Sequence, residues 1–96
     1  MVLFQAVQVP VTGAGTFSGL ALFKGQVTSA EVCLRGLNLP GYADGSPWHY
    51  RGATVVQITS VSVGGDDVQF TFNFNFSESS YQMAGSIDFL VIADMQ

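Results

Sequence analysis

The chain reads Val68-Gln69-Phe70-Thr71-Phe72-Asn73-Phe74-Asn75-Phe76-Ser77, in which apolar and small polar side chains alternate without a break. Successive side chains of a β-strand point to opposite faces, so the valine and the phenylalanines share one face and the polar residues share the other. A helix would scatter the same rings around its surface. The stretch therefore predicts a strand with an aromatic face, and the rest of the chain must supply an apolar surface for that face to pack against.

Further strands are predicted at 2–11, 17–24, 53–63 and 84–93. The first of them is apolar on both faces, which is typical of a strand covered on both sides, whereas Pro10 indicates an edge or a strand end. Stretch 53–63 also has apolar residues of both parities, which predicts a strand with two apolar faces. The sequence Gly64-Gly65-Asp66-Asp67 predicts a hairpin turn before the phenylalanine strand.

The segment 26–37 fits two structures. As a strand, its apolar residues alternate from Ala30 to Leu34. As a short helix near 28–36, it would begin at a capping box formed by Thr28 and Glu31. The β-like neighbours favour the strand, and the helix is the alternative. Together the patterns predict an all-β protein, a small antiparallel β-sandwich such as a jelly-roll, with about six strands in one domain over 1–96.

The composition combines high apolar content with few charges. Hydrophobic residues make up 48% of the chain and charged residues 10%, against roughly 25% charged residues in typical soluble domains. A surface with so few charges favours an obligate assembly of subunits over a free monomer. Only three residues are Lys or Arg and the net charge is −4, which excludes nucleic acid and a membrane surface as expected partners.

The irregular stretch 38–52 holds the best candidate site. Its polar and aromatic side chains are Tyr42, Asp44, Trp48, His49, Tyr50 and Arg51. Long loops of this kind are often functional, and Trp, Tyr and Arg dominate protein–protein hot spots. Three interpretations stay open: a structural plug at one end of the sandwich, a protein interface, or a sugar site in which aromatic faces stack on a sugar ring.

Catalysis has little support in the sequence. The chain has one His and one Cys, with no spacing typical of a nucleophile–base pair, so we expect no enzyme. Cys33 is interpreted as a small half-buried residue and not as a reactive thiol. Asp66, Asp67 and Glu78 follow no known calcium-loop spacing. We therefore expect no metal site and no cofactor.

Three segments together resemble the C-terminal half of H-type lectin domains: the strand from Thr54 to Val63, the alternating phenylalanine strand, and Ile87-Asp88-Phe89-Leu90-Val91-Ile92-Ala93. The resemblance implies a six-stranded sandwich that assembles as trimers or hexamers. The chain differs from the family at Phe89, where the family favours Trp, and it lacks the longer polar loop before the last strand. No sugar-contacting residue is carried over.

Two functions follow as hypotheses. The first is a non-enzymatic structural protein of a virion, as a phage capsid decoration (cement) protein or a tail or fibre-tip protein. It would act as a symmetric homo-oligomer, a trimer or hexamer, with other structural proteins as partners. The alternative is a carbohydrate-binding module that uses the aromatic loop 42–51 and has a glycan as partner. The expected location is the virion, and the alternative is the cytoplasm, or outside the cell without a classical signal peptide.

Overall fold

The structure, a computed structural model, describes residues 1–42, 54–76 and 83–96. Six strands account for nearly all of these residues: β1 Val2–Thr12, β2 Gly15–Leu22, β3 Val27–Tyr42, β4 Thr54–Gly64, β5 Asp67–Phe76 and β6 Met83–Met95. Within the described ranges the chain forms no helix, and hence none long and apolar enough to cross a membrane.

The strands form two antiparallel sheets of three strands each. Sheet A has the order β1-β6-β3 and sheet B the order β2-β5-β4. The two sheets pack face to face, with β5 and β6 in their centres and a single cluster of buried side chains between them. The predicted small antiparallel β-sandwich of six strands is confirmed.

The phenylalanine strand lies at the centre of the core, as its alternation predicts. Phe70, Phe72 and Phe74 of β5 are each at most 1% exposed. Phe89 reaches them from β6 in the opposite sheet, with ring centroids 4.8 Å from Phe70 and 4.7 Å from Phe72. Tilted and edge-on contacts at this distance are the favoured geometry for aromatic pairs. These rings therefore join the two sheets, and every other strand packs around them.

A tight hairpin connects β4 to β5. Gly64 pairs with Asp67, which leaves Gly65 and Asp66 as the two loop residues. Gly65 has φ +76°, a backbone conformation that costs glycine little, at the position where a type II′ turn requires it. The predicted hairpin is confirmed. Its backbone also accepts hydrogen bonds from Phe23 and Val27, each 2.8 Å long, where the chain crosses from β2 to β3.

Strand β4 differs from the expected strand with two apolar faces. Ile58 pairs with Phe72 and Ser60 with Thr71, so Thr59 is an extra residue in a β-bulge. The bulge reverses the parity of the strand, so four of its five apolar side chains turn to the side of the core: Val56, Ile58, Val61 and Val63. Val55, in register with Asn75, is on the outer face and 49% exposed. A parity count that assumes a regular strand assigns half of them to the wrong face.

Strand β3 replaces the short helix considered near 28–36, and that alternative is wrong. The ladder with β6 binds the backbone of this segment. The Thr28 hydroxyl, which would have capped the helix, donates to the carbonyl oxygen of Asp94 at 2.9 Å, where the register shifts between Val27 and Ser29. A strand is favoured because its inner residues, such as Val32, complete the core beside β6.

The same strand also extends further than expected. The stretch from position 38 was predicted to be irregular, but β3 continues through Pro40 to Tyr42. Because β3 is an edge strand, a proline without an N–H is tolerated there. The register shifts between Asn38 and Gly41, as an irregular edge allows.

Strand β1 is an edge strand, not the central strand that its two apolar faces suggested. It pairs with β6 over eleven consecutive residues and has no other partner among the described strands. Val9 and Val11 are buried in the core, whereas Phe4 on the other face is 63% exposed. The edge position agrees with Pro10. The apolar residues on the outer face of β1 lie at the protein surface and not in a second core.

Candidate functional site

Most of the predicted binding loop lies outside the described residues. The structure places the backbone of Tyr42 at the end of β3, in register with Met83. The other members of the predicted site lie within 43–53 and so outside the described ranges: Asp44, Trp48, His49, Tyr50 and Arg51. The plug, interface and sugar-site interpretations of this loop therefore stay predictions.

Cys33 was expected to be half-buried, and this expectation is wrong. The residue is exposed, because its position in β3 places it on the outer face of sheet A, in register with Leu90. Its neighbours in the core-facing direction, Val32 and Leu34, pair with the buried residues of β6 instead. Alternation along β3 thus decides its exposure.

The acidic hairpin tip is a solvated turn in the described structure. Asp66 is exposed and Asp67 half-buried, and Glu78 lies outside the described residues. Among the residues that are described, no group of three or more His, Cys, Asp or Glu side chains is arranged to hold a metal ion.

The outer face of sheet B is polar along its central strand. Its central row consists of Gln69, Thr71 and Asn73 from β5, on the opposite side of the strand from the phenylalanines. The Thr16 hydroxyl donates to Oδ1 of Asn73 at 2.9 Å. The Ser60 hydroxyl lies 2.6 Å from that of Thr71. This face is hydrogen-bonded within itself and forms a shallow depression around Thr71.

The outer face of sheet A carries a contiguous apolar patch. Phe4 lies in register with Ile92, and Ala6 with Leu90. Phe4 is 63% and Val2 52% exposed. These two pairs are neighbours on one face of the ladder, so their four apolar side chains form a continuous surface. We call Val2, Phe4, Ala6, Leu90 and Ile92 the sheet A patch.

One side of the sandwich carries no charged side chain. The first 23 residues contain no Asp, Glu, Lys, Arg or His, and they include all of β1 and β2. These two strands are edges of the two sheets and contact each other on one side of the sandwich. We call this surface the neutral side. Its exposed apolar residues include Leu20 at 48% and Leu22 at 61%.

The opposite side, formed by β3 and β4, exposes residues that face inward. Leu34 and Leu37 of β3 are each 49% exposed, and Val61 and Val63 of β4 are 39% and 40% exposed. This side differs from the neutral side in charge, because β3 carries an acidic and a basic residue. It also differs in regularity, because the register of β3 shifts three times along its ladder with β6.

The sequence carries a signal for the neutral side that is not a motif. Aromatic and ionisable side chains point instead to the loop that holds the Trp and the His. The absence of charge over the first 23 residues is equally visible in the sequence, and it points to the surface that the structure exposes. Because β1 is an edge strand, its uncharged residues form part of the protein surface.

No protein-family model, curated protein or solved structure matches this chain. The similarity to H-type lectin domains therefore rests on the three segments quoted above.

Proposed function

We propose that the protein is a non-enzymatic structural subunit that acts as a symmetric homo-oligomer. In this proposal the assembly is a virion, and the protein serves in it as a capsid decoration protein or as a tail or fibre-tip protein. The observation that carries the proposal is the sheet A patch. Single exposed apolar residues are normal on protein surfaces, but a continuous apolar patch marks an interaction surface.

The low charge content supports the same proposal. With 10% charged residues, the chain has few groups that would keep separate copies apart in solution. Closed symmetric contacts would cover the apolar residues that are exposed in a single chain. The virion assignment rests on this composition, on the small sandwich and on the lack of any recognisable catalytic pattern in the sequence.

The first experiment measures the stoichiometry of the purified chain by light scattering after size exclusion and by native mass spectrometry. We expect one discrete oligomer. A monomer at micromolar concentration would contradict the assembly proposal. Mass spectrometry of purified particles from the source of the gene then tests the virion assignment, which requires the chain to be present in fixed proportion to the major structural protein.

A carbohydrate-binding module is the second candidate. The six-stranded sandwich is the architecture that the resemblance to H-type lectins implies, and the loop 42–51 has the aromatic composition of a sugar site. A glycan array combined with thermal shifts in single sugars separates the two candidates. A reproducible shift that disappears in the Trp48→Ala variant would favour the lectin, and an oligomer without a response to any sugar would favour the structural subunit.

A further inference from the structure

Among the described residues, no strand pairs with the outer edge of β1. The Met95 N–H donates to the carbonyl oxygen of Met1 at 2.7 Å, and these two residues continue the register of the ladder by one position beyond its first pair, Val2 and Asp94. In an antiparallel pair, every second residue bonds its partner and the residues between them direct N–H and C=O to the other side. The residues of β1 that point to its free edge are therefore Val2, Phe4, Ala6, Gln8, Pro10 and Thr12.

Proline falls on the side where its missing donor costs nothing. Pro10 is one of the residues directed to the free edge, so the ladder with β6 loses no hydrogen bond at this position. Between Val2 and Gln8, every residue directed to the free edge has both an N–H and a C=O there. It is also regular, since its register with β6 does not shift.

Long, regular and uncharged edges pair with other strands unless something blocks them. Bulges and charges block β3, and the Thr59 bulge interrupts β4. Strand β1 has neither device between Val2 and Gln8. Strand β2 also lacks both, but its ladder with β5 is shorter than that of β1 with β6. Of the four edge strands in the described structure, β1 therefore combines the longest regular ladder with the largest exposed apolar side chain, Phe4.

Charge identifies a second copy of the chain as the occupant. Each copy has a net charge of −4, so two copies repel each other least where they meet through the neutral side. The size of this side sets an upper limit on the contact. The molecule extends 46 × 19 × 16 Å, so a long side measures about 740–870 Å² in projection, comparable with the roughly 800 Å² per partner of a standard interface, and the segment Val2–Gln8 spans about half its length.

We propose that β1 pairs antiparallel with β1 of a second copy across a two-fold axis, through the segment Val2–Gln8. The two copies of sheet A then form one continuous sheet of six strands. Phe4 lies beside the apolar outer residues of the partner strand, and the β2 edges of the two copies approach each other. A two-fold contact gives a dimer, or a hexamer with dihedral symmetry, but never a trimer by itself.

Amide hydrogen exchange measured residue by residue tests the pairing directly. In the assembled protein we expect the amides of Phe4, Ala6 and Gln8 to be as well protected as those of Leu3, Gln5 and Val7. In a single chain only the second set would be protected, because only that set bonds β6. Fast exchange at Phe4, Ala6 and Gln8 in an oligomer would overturn the proposal.

A pair of charge variants tests the same contact by affinity. The axis of this pairing passes by Gln5, so Ala6→Lys places two like charges diagonally across it, and we expect the substitution to raise the dissociation constant by about tenfold or more. Ser62→Lys makes the same change of charge on the exposed outer face of β4 and should leave the constant unchanged. Equal effects of the two variants would overturn the proposal. If Ala6→Lys does not fold, as judged by circular dichroism, the exchange pattern of the unmodified protein decides.

This inference rests on the proposed function only in requiring an oligomer. Failure of the β1 pairing can be distinguished from failure of the proposed function. A monomeric protein contradicts both proposals. A strict trimer, or an oligomer in which the free-edge amides of β1 exchange fast, contradicts the β1 pairing and leaves the structural subunit in place.

Discussion

At the scale of single residues, the Phe70 ring lies in the space that a side chain at position 19 would need. Gly19 is in register with Phe70 on the neighbouring strand. A Cβ built on Gly19 would come within 2.3 Å of Cζ of Phe70. Phe70 is only 1% exposed and also contacts Phe89 across the sheets, so its ring cannot move away from position 19 without disturbing that contact. Gly19 is thus required by packing and not by a turn.

The substitution Gly19→Ala should therefore destabilise the protein. We expect a loss of about 1–3 kcal/mol in the free energy of unfolding, which is typical of adding a methyl group to a filled core. Urea denaturation at a fixed protein concentration measures it. Gly15→Ala is the matched control, because its Cβ would meet only Phe17, at 3.8 Å, and it should be neutral or slightly stabilising.

The double variant Gly19→Ala/Phe70→Leu identifies the cause. A smaller side chain at position 70 relieves the clash. The double variant should therefore lose less free energy of unfolding than the two single variants lose together. If Gly19→Ala is as stable as Gly15→Ala, the ring does not occupy the place that the structure gives it.

At the scale of elements, the bulge in β4 decides which side chains enter the core. Thr59 and Ser60 both lie opposite Thr71, and their hydroxyl oxygens are 2.9 Å and 2.6 Å from that of Thr71. The three hydroxyl groups fix the position of the extra residue. The bulge then keeps Ile58 and Val61 on the same face, although an odd number of positions separates them along the chain.

Deletion of Thr59 should be tolerated, because Ile58 and Ser60 already pair with consecutive residues of β5. We expect a loss of about 1–2 kcal/mol, from the hydrogen bonds of the Thr59 hydroxyl. Thermal or urea unfolding measures it. Deletion of Gln57 is the control and should lower the free energy of unfolding more. The pairing of β4 with β5 must then shift so that Thr59 replaces Ile58 opposite Phe72. Equal losses for the two deletions would contradict the assignment of the bulge.

These elements explain how far the sequence could predict the structure. Strands β5 and β6 are regular over their central residues and face a single core, so alternation alone predicts which of their side chains are buried. The bulge at Thr59 could not be foreseen, because it depends on the pairing with Thr71 and leaves no local signature. The edge position of β1 depends on strand order, which the alternation of one strand does not contain.

The candidate site was predicted less well than the fold, for a physical reason. A binding loop was inferred from residue types in 42–51, and apart from the backbone of Tyr42 these residues lie outside the described structure. The candidate interaction surface that the structure does expose, the sheet A patch with the exposed leucines of β2, consists of Val, Leu, Ile, Phe and Ala. In a sequence such residues look like core, and only the edge position of β1 and β2 shows that many of them face solvent.

At the scale of the whole molecule, charge is distributed unevenly around the sandwich. The first charged residue of the chain is Lys24, so β1 and β2 contribute none. The N-terminal amine, at the start of β1, lies 3.7 Å from Oδ1 of Asp94. Self-association through the neutral side thus brings few fixed charges together, whereas the net charge of −4 on each copy acts as a weak long-range repulsion between copies.

This distribution predicts how salt acts on the assembly. Between about 0.1 M and about 1 M NaCl the Debye length falls from about 10 Å to about 3 Å, which screens the repulsion between copies. An interface made of backbone hydrogen bonds and apolar side chains has no ion pairs to lose. We therefore expect the dissociation constant to stay unchanged or to fall as salt increases, as measured by sedimentation equilibrium over a dilution series.

The Ala6→Lys variant provides the internal control for this experiment. Its added like charges lie diagonally across the proposed axis, so screening should strengthen its association more than that of the unmodified protein. A dissociation constant of the unmodified protein that rises about tenfold or more with salt would mean that opposite charges hold the copies together. The contact would then have to lie on β3, β6, the β2–β3 turn with Lys24 or the β4–β5 hairpin, where the charged residues of the described structure are found, and not on the neutral side.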